Sequence, residues 1–260
     1  DAHNPLVSLD DWQRPRFIAF DGRSLGDELQ ASGASPAARG WMEALYDGLG
    51  LDQVSALFAY RKRLVAKFGG GQMFRISGGS DALSTAMAAR LRDDVRCAAE
   101  VVAISQRRDG VEMHCADGAR HRGRFALVSI PFSVLRHVHL SPGPPPDLAE
   151  LIATLPYNRI TQVRLAFREP FWEADGLPPA MVGDGLFEKV MATPAENGEL
   201  YELTAWLDGR GALRLDHLSE ADIGRAVQRS LLAARPAARD LLKVVNVTSW
   251  GRQPFARGSY

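Results

Sequence analysis

Cysteine is scarce in this chain. Cys97 and Cys115 are the only two among 260 residues, too few for a disulfide framework and without the C-x-x-C spacing of a metal site. No apolar run approaches the ~20 residues needed to cross a bilayer, and the opening stretch "DAHNPLVSLDDW" lacks the basic and apolar regions of a signal peptide. A cytoplasmic protein that does not engage a membrane is therefore expected. Neither sign of charge is in excess: 31 basic residues face 31 acidic ones, which leaves no global field for nucleic acid or anionic lipid. The phosphate-cradling G-x-G-x-x-G is missing too. G-x-G occurs at Gly48/Gly50, Gly183/Gly185 and Gly209/Gly211, but Gln53, Glu188 and Arg214 stand where the third glycine is needed. His137 and His139 could share one side of an extended segment, yet no carboxylate or cysteine joins them at ligand spacing, so no metal site is expected. Arg61-Lys62-Arg63 reads as a solvated helix face, because no stacking aromatics accompany it.

What is present is ordinary globular material, 46% hydrophobic and 24% charged, enough for one sizeable core or two. From Ser24 to Lys67 the stretches "GDELQ", "PAARGWMEALYDGL" and "DQVSALFAYRKRLV" place apolar residues at three- and four-residue steps, which predicts a helical layer. Gly69-Gly70-Gly71 ends it. Three β-rich runs follow, "EVVAISQ", "GVEMHCA" and "RFALVSIP", separated by Asp-Gly turn signals, and predict a β-meander. "SPGPPPDL" is a clear break, since prolines forbid a regular helix or a central strand. Beyond it come a short helix at "DLAELIATL" and a strand at "ITQVRLAF", where Val163, Leu165 and Phe167 alternate with Gln162, Arg164 and Arg168. Further strands are predicted at "LYELTAWL" and "KVVNVTSW", with a helix between them opened by Ser219 and Asp222 in a variant capping box.

"RISGGSDALSTAMAARL" poses a choice for Ser80. A nucleophile elbow needs Gly-x-Ser-x-Gly, and Ala82 occupies the last position. Ser80 instead precedes Leu83, Met87 and Leu91 at helical spacing and is expected to cap that helix. The serine-hydrolase alternative would pair Ser80 with a histidine such as His114 or His217.

The informative constellation is a succession: "GGGQMFRISGGSDALSTAMAARL", "EVVAIS", "IPFSVL…SP…LP", "EPFW" and "VTSWGRQPFARGSY", in that order. It resembles the flavin-containing amine oxidase family, which includes monoamine, polyamine and L-amino-acid oxidases, from about residue 40 to Tyr260. The resemblance implies a two-lobe α/β architecture of mixed α+β character. Residues 1–75 would form the helical part of a substrate lobe, 76–133 part of an FAD lobe, 134–250 the sheet and helices of the substrate lobe, and 251–260 the return toward FAD. Members of that family begin with a strand, a G-x-G-x-x-G turn and a helix, and end with a further FAD-contacting segment. The expectation is thus that this chain is the middle of such an enzyme, and that the remaining FAD-binding segments are its partners.

Carried over residue by residue, the resemblance implies FAD contacts at Val101 and Trp250, and an aromatic wall at Tyr260 that steers the amine. Gln72, Leu64 and Val65 would line the substrate pocket and its entrance. Ser259 stands where monoamine oxidases carry the cysteine that bonds FAD, which implies a noncovalent cofactor. Gln162 occupies the place of a lysine implicated in the oxygen step; a glutamine holds a water but brings no ammonium, so a dehydrogenase using another acceptor is open beside an oxidase. The implied reaction is oxidation of the C–N bond of an amine or L-amino acid, with a hydride equivalent passing to FAD and the imine then hydrolysed. A non-catalytic substrate lobe or binding module is the other alternative.

Overall fold

The computed structural model describes residues 5–8, 10–46, 50–68, 76–183, 185–195 and 197–259. After a 3-10 turn at Asp11–Gln13 come α1 (Pro15–Ile18), α2 (Leu25–Ala31), α3 (Pro36–Leu45) and α4 (Ala56–Phe68). The middle of the chain forms α5 (Asp81–Ala88), β1 (Val101–Arg107), β2 (Gly110–Cys115), β3 (Arg120–Gly123), α6 (Phe132–Leu135), β4 (His139–Ser141) and α7 (Pro146–Thr154). The last part contains β5 (Ile160–Phe167), α8 (Phe171–Asp175), β6 (Met181–Val182), β7 (Lys189–Pro194), β8 (Leu200–Asp208), α9 (Arg210–Leu215), α10 (Glu220–Ala234) and β9 (Leu242–Ser249). Two compact units result, one from residues 1–63 and 156–260, the other from residues 64–155.

In the first unit, five antiparallel strands pair in the order β6-β7-β8-β5-β9. Alternation decides which face is buried. Val163 and Leu165 of β5, Leu203, Ala205 and Leu207 of β8, and Val190 and Val247 turn to one side, where Ile223, Val227 and Leu231 of α10 complete the core. Each aliphatic side chain taken wholly out of water contributes roughly 1.5–3 kcal/mol, so this face anchors the unit. Ser219 caps α10 as expected, its Oγ accepting from the Asp222 N–H at 3.2 Å. The opening helices hold a smaller cluster of Leu25, Leu51, Val54 and Ala59. α2 starts with a full capping box, Ser24 and Asp27 each accepting from the other's backbone N–H.

The second unit carries a four-stranded sheet in the order β3-β2-β1-β4, antiparallel except for the parallel β1–β4 pair. Two expectations need correction here. The meander's third strand is Arg120–Gly123, not "RFALVSIP": Phe125 and Leu127 are 87% and 96% exposed and pair with no strand among the described residues. Apolar alternation is only a latent signal, and a strand forms where a neighbouring edge accepts its backbone; the turn after β2 brings the charged segment back first. Ser80 does stand at the N-terminal boundary of α5, but its side chain makes no capping bond. Its backbone is already helical (φ −66, ψ −26) rather than extended, so the hydroxyl is not aimed at the free first-turn N–H groups.

Candidate active site

The face of the five-stranded sheet opposite its core carries polar and aromatic side chains. Where Val163 and Leu165 turn inward, Gln162 and Arg164 turn to the other side. Cross-strand pairing sets Gln162 opposite Trp206 of β8 and Thr248 of β9, and sets Lys189 of β7 beside Trp206. Trp250, directly after β9, folds back so that its Nε1–H donates to Gln162 Oε1 at 3.0 Å, across 88 residues of sequence. The residue remains 41% exposed. A glutamine amide flanked by two indoles therefore occupies the middle of this face.

One of those indoles lacks an acceptor. Trp206 Nε1 is fully buried with no hydrogen-bond partner among the described residues, and leaving such a donor unmade costs about 1–3 kcal/mol. Lys189 Nζ lies 5.2 Å from the Trp206 ring centroid and 3.3 Å from Asp208 Oδ2. At the other end of the face Arg164 grips Glu202 through two contacts, Nε to Oε1 at 2.8 Å and a terminal nitrogen to Oε2 at 2.7 Å. Both cations are thus held by carboxylates, and the aromatic and amide groups between them form the apolar, hydrogen-bonding part.

The turn that carries Trp250 is pinned at several points. The Trp250 N–H donates to the Ile160 carbonyl at 2.8 Å, and the Gly258 N–H donates to the Trp250 carbonyl at 3.0 Å. Arg159 donates to the Gly251 carbonyl at 3.0 Å and to Asp216 Oδ2 at 3.2 Å, while Ser249 Oγ bonds Asp216 Oδ1 at 3.1 Å. A Cβ at Gly251 would sit 2.3 Å from Arg159 Cδ, so a larger residue there would have to displace the Arg159 side chain. Gly258, at φ +125, lets the chain pass a point where a Cβ would meet the Asn158 carbonyl oxygen at 2.7 Å. Ser259 then pairs with Asn158, exchanging backbone bonds of 2.9 and 2.5 Å.

Glu188, just before β7, adds a titratable group nearby. Its carboxylate accepts the Asp208 N–H at 2.8 Å beside a cavity of about 200 Å³ that Arg210, Gly211 and Arg214 help to line. Burial is the main cause that pushes its pKa up to about 7, with the Asp208 charge acting in the same direction.

The expected site residues thus fall in different places. Gln162 and Trp250 meet, and Ser259 closes the strand-like bridge next to them. Val101, half-buried, opens β1 opposite Cys115 in the other unit. On α4, Leu64 is 4% exposed and Val65 45%. Gln72 and Tyr260 lie outside the described residues. Trp206, Lys189 and Glu188 were not anticipated as site residues. For Trp206 a signal existed, a large aromatic in the wet phase of "LYELTAWL"; for Glu188 there was none.

The sequence pattern of the flavin containing amine oxidoreductases matches residues 11–260. The chain belongs to that family. Membership implies a flavin cofactor. Among its relatives is the flavin-dependent L-tryptophan oxidase RebO of Lentzea aerocolonigenes, 32% identical over 72% of this chain and 41% of the relative. A flavin-containing amine oxidase of Danio rerio is 28% identical over 46% of this chain and 23% of its own length. In fold, the chain is similar to cyclohexylamine oxidase from Brevibacterium oxydans IH-35A, with a TM-score of 0.80 at 20% identity over 98% of this chain and 60% of that one. Putrescine oxidase bound to putrescine gives 0.74 at 21% identity, over 96% and 58%. The chain therefore spans less than two thirds of the length of these proteins.

Proposed function

We propose that this family member serves the oxidation of the C–N bond of an amine or an L-amino acid to an imine, with FAD held noncovalently. The observation that carries the reading is the Gln162–Trp250 hydrogen bond on an aromatic sheet face, in a chain that belongs to the family. The residues fit a flat heteroaromatic group. Trp250 is partly exposed, Gln162 keeps amide donors, and the buried Trp206 N–H lacks an acceptor among the described residues. When bound, the flavin supplies a two-electron oxidation that leaves an imine for water to hydrolyse.

The chain's own residues then bind and orient. Trp250 packs beside the cofactor, Gln162 holds a water next to it, and Val101 contributes backbone contacts to the adenosine part. Ser259 in place of a cysteine forms no thioether, so the cofactor stays exchangeable. Gln72 and Tyr260 orient the amine, with Leu64 and Val65 along its approach. Once closed over by substrate and cofactor, an aromatic wall would favour the uncharged amine, the form that can be oxidised. Gln162 also carries the second reading, an enzyme whose electrons pass to an acceptor other than oxygen, because an amide brings no ammonium beside the reduced cofactor.

The visible spectrum of the purified protein tests the reading. Oxidised-flavin absorption, bleached anaerobically by one member of a panel of L-tryptophan, other L-amino acids, monoamines and diamines, is the expected result and names the substrate class. Protein that is colourless, and stays so when FAD is added, overturns it.

A further inference from the structure

At the far end of the four-stranded sheet, the β1–β2 turn and β3 enclose a cavity of about 660 Å³ lined by Arg107, Arg108, Arg120, Arg122 and Arg124 against only Asp109 and Glu112. A chain whose charges balance overall thus concentrates a surplus of three positive charges in one open hollow. We propose that this hollow binds a small anion of linked phosphates, a chain such as pyrophosphate or triphosphate.

The arrangement differs from the plain charging of an exposed edge strand, which discourages edge-to-edge pairing by pointing charges outward. Here the guanidiniums are drawn over the sheet face by a carboxylate set among them. The Glu112 side chain is 3% exposed; Arg122 Nε donates to its Oε2 at 2.6 Å, and Arg107 reaches its Oε1 from the opposite side at 3.4 Å. His114 Nε2 lies 2.8 Å from that same Oε1. Hydrogen bonding from Arg122, more than any other cause, holds the Glu112 carboxyl down to about pKa 2, so the bracket is charged at any working pH. Arg122 is thereby anchored and Arg107 drawn toward the same carboxylate, while the two stay 79% and 55% exposed, leaving N–H groups that face solvent. Around them, Arg108, Arg120 and Arg124 have no carboxylate partner among the described residues. Planar forks held in orientation are suited to bidentate contact with phosphate oxygens. Among the described residues no aromatic lines the hollow, so a nucleoside base finds no stacking platform there and phosphate charge is what is read.

Calorimetric titration of the purified protein with sodium tripolyphosphate, pyrophosphate, orthophosphate and ADP decides the matter. Tripolyphosphate is expected to bind more tightly than pyrophosphate, and both at least about tenfold more tightly than orthophosphate, with ADP within about threefold of pyrophosphate. Raising the salt from about 50 to 500 mM should weaken tripolyphosphate binding about tenfold or more. The exposed pair Arg120→Ala/Arg124→Ala, with circular dichroism as the check on folding, should cost about tenfold in affinity while Arg→Lys at both positions restores part of it. No titratable heat up to about 10 mM, affinity untouched by the double variant, or ADP tenfold tighter than pyrophosphate each overturns the proposal. So does loss of bound flavin in the double variant, since the arginines would then belong to the cofactor's own diphosphate.

Discussion

Two single residues on the site face conflict with ordinary burial rules, and the conflict makes each testable. Trp206 keeps a buried N–H that nothing among the described residues accepts. Trp206→Phe preserves an aromatic ring and deletes that donor, so the unit that holds β8 should lose nothing and gain up to about 1 kcal/mol in its own urea transition. If the N–H is kept for a bound acceptor, the same variant will bind cofactor or substrate more weakly; a loss of stability with unchanged binding would instead mean that the indole is purely structural. Glu188 carries a carboxyl raised from 4.5 to about 7, chiefly by burial. Between those values the folded state holds more protons than the unfolded one, so stability falls as pH rises through this window, by no more than about 1.4 kcal/mol per pH unit. Glu188→Gln keeps an oxygen for the Asp208 N–H and removes the titration. The variant should gain on the native protein as pH rises from about 4.5 to 7 and hold that advantage above it, which denaturant midpoints measured across the series will show.

At the scale of elements, α10 packs closely against β9. Gly224 permits it, since a Cβ there would meet Val244 Cγ1 at 3.0 Å and Val247 Cγ2 at 3.4 Å. Gly224→Leu should therefore destabilise by about 1–3 kcal/mol through overpacking. Arg225→Ala, one residue on and exposed, should stay within about 0.5–1 kcal/mol, because its ion pair with Asp222 is a surface one. Equal losses would mean that α10 does not press on the sheet as described. Elements with strong periodicity were legible in the sequence: α10 with its serine cap, the alternation of β5, and the five-stranded sheet's inward Leu203, Ala205 and Leu207. β7 was not, because its six residues follow the Gly183/Gly185 punctuation and end in Pro194, and their pairing partner lies later in the chain. β3, "RHRG", has no β-forming composition and owes its state to the hairpin that returns it to β2. Part of the site was legible only through the family resemblance. Periodicity alone places Gln162 on a wet face, but nothing local predicts that Trp250 returns to it across 88 residues.

Over the whole molecule, resistance to opening should follow burial, unit by unit. Val163, Leu165, Leu203, Ala205 and Leu207 are 0% exposed on β5 and β8, two of the three interior strands, each flanked by a paired strand on both sides. α5, by contrast, is eight residues long and buries none of them; Leu83 and Met87 are 53% and 62% exposed. A helix shorter than about 12 residues has little stability of its own, so α5 should open at a small cost while β5 and β8 open only with their whole unit. Because the chain forms two units, a single fitted unfolding free energy would mix them, and peptide-resolved hydrogen exchange is the suitable measurement. Peptides from 160–167 and 203–208 should exchange at least about a hundredfold more slowly than those from 81–88. Comparable rates would mean that the sheet face carrying Gln162 and Trp206 is not the rigid platform its packing implies. That rigidity matters for the chemistry, since an amide and two indoles can present a fixed pattern of donors and apolar surface only if the strands beneath them do not open on the timescale of binding.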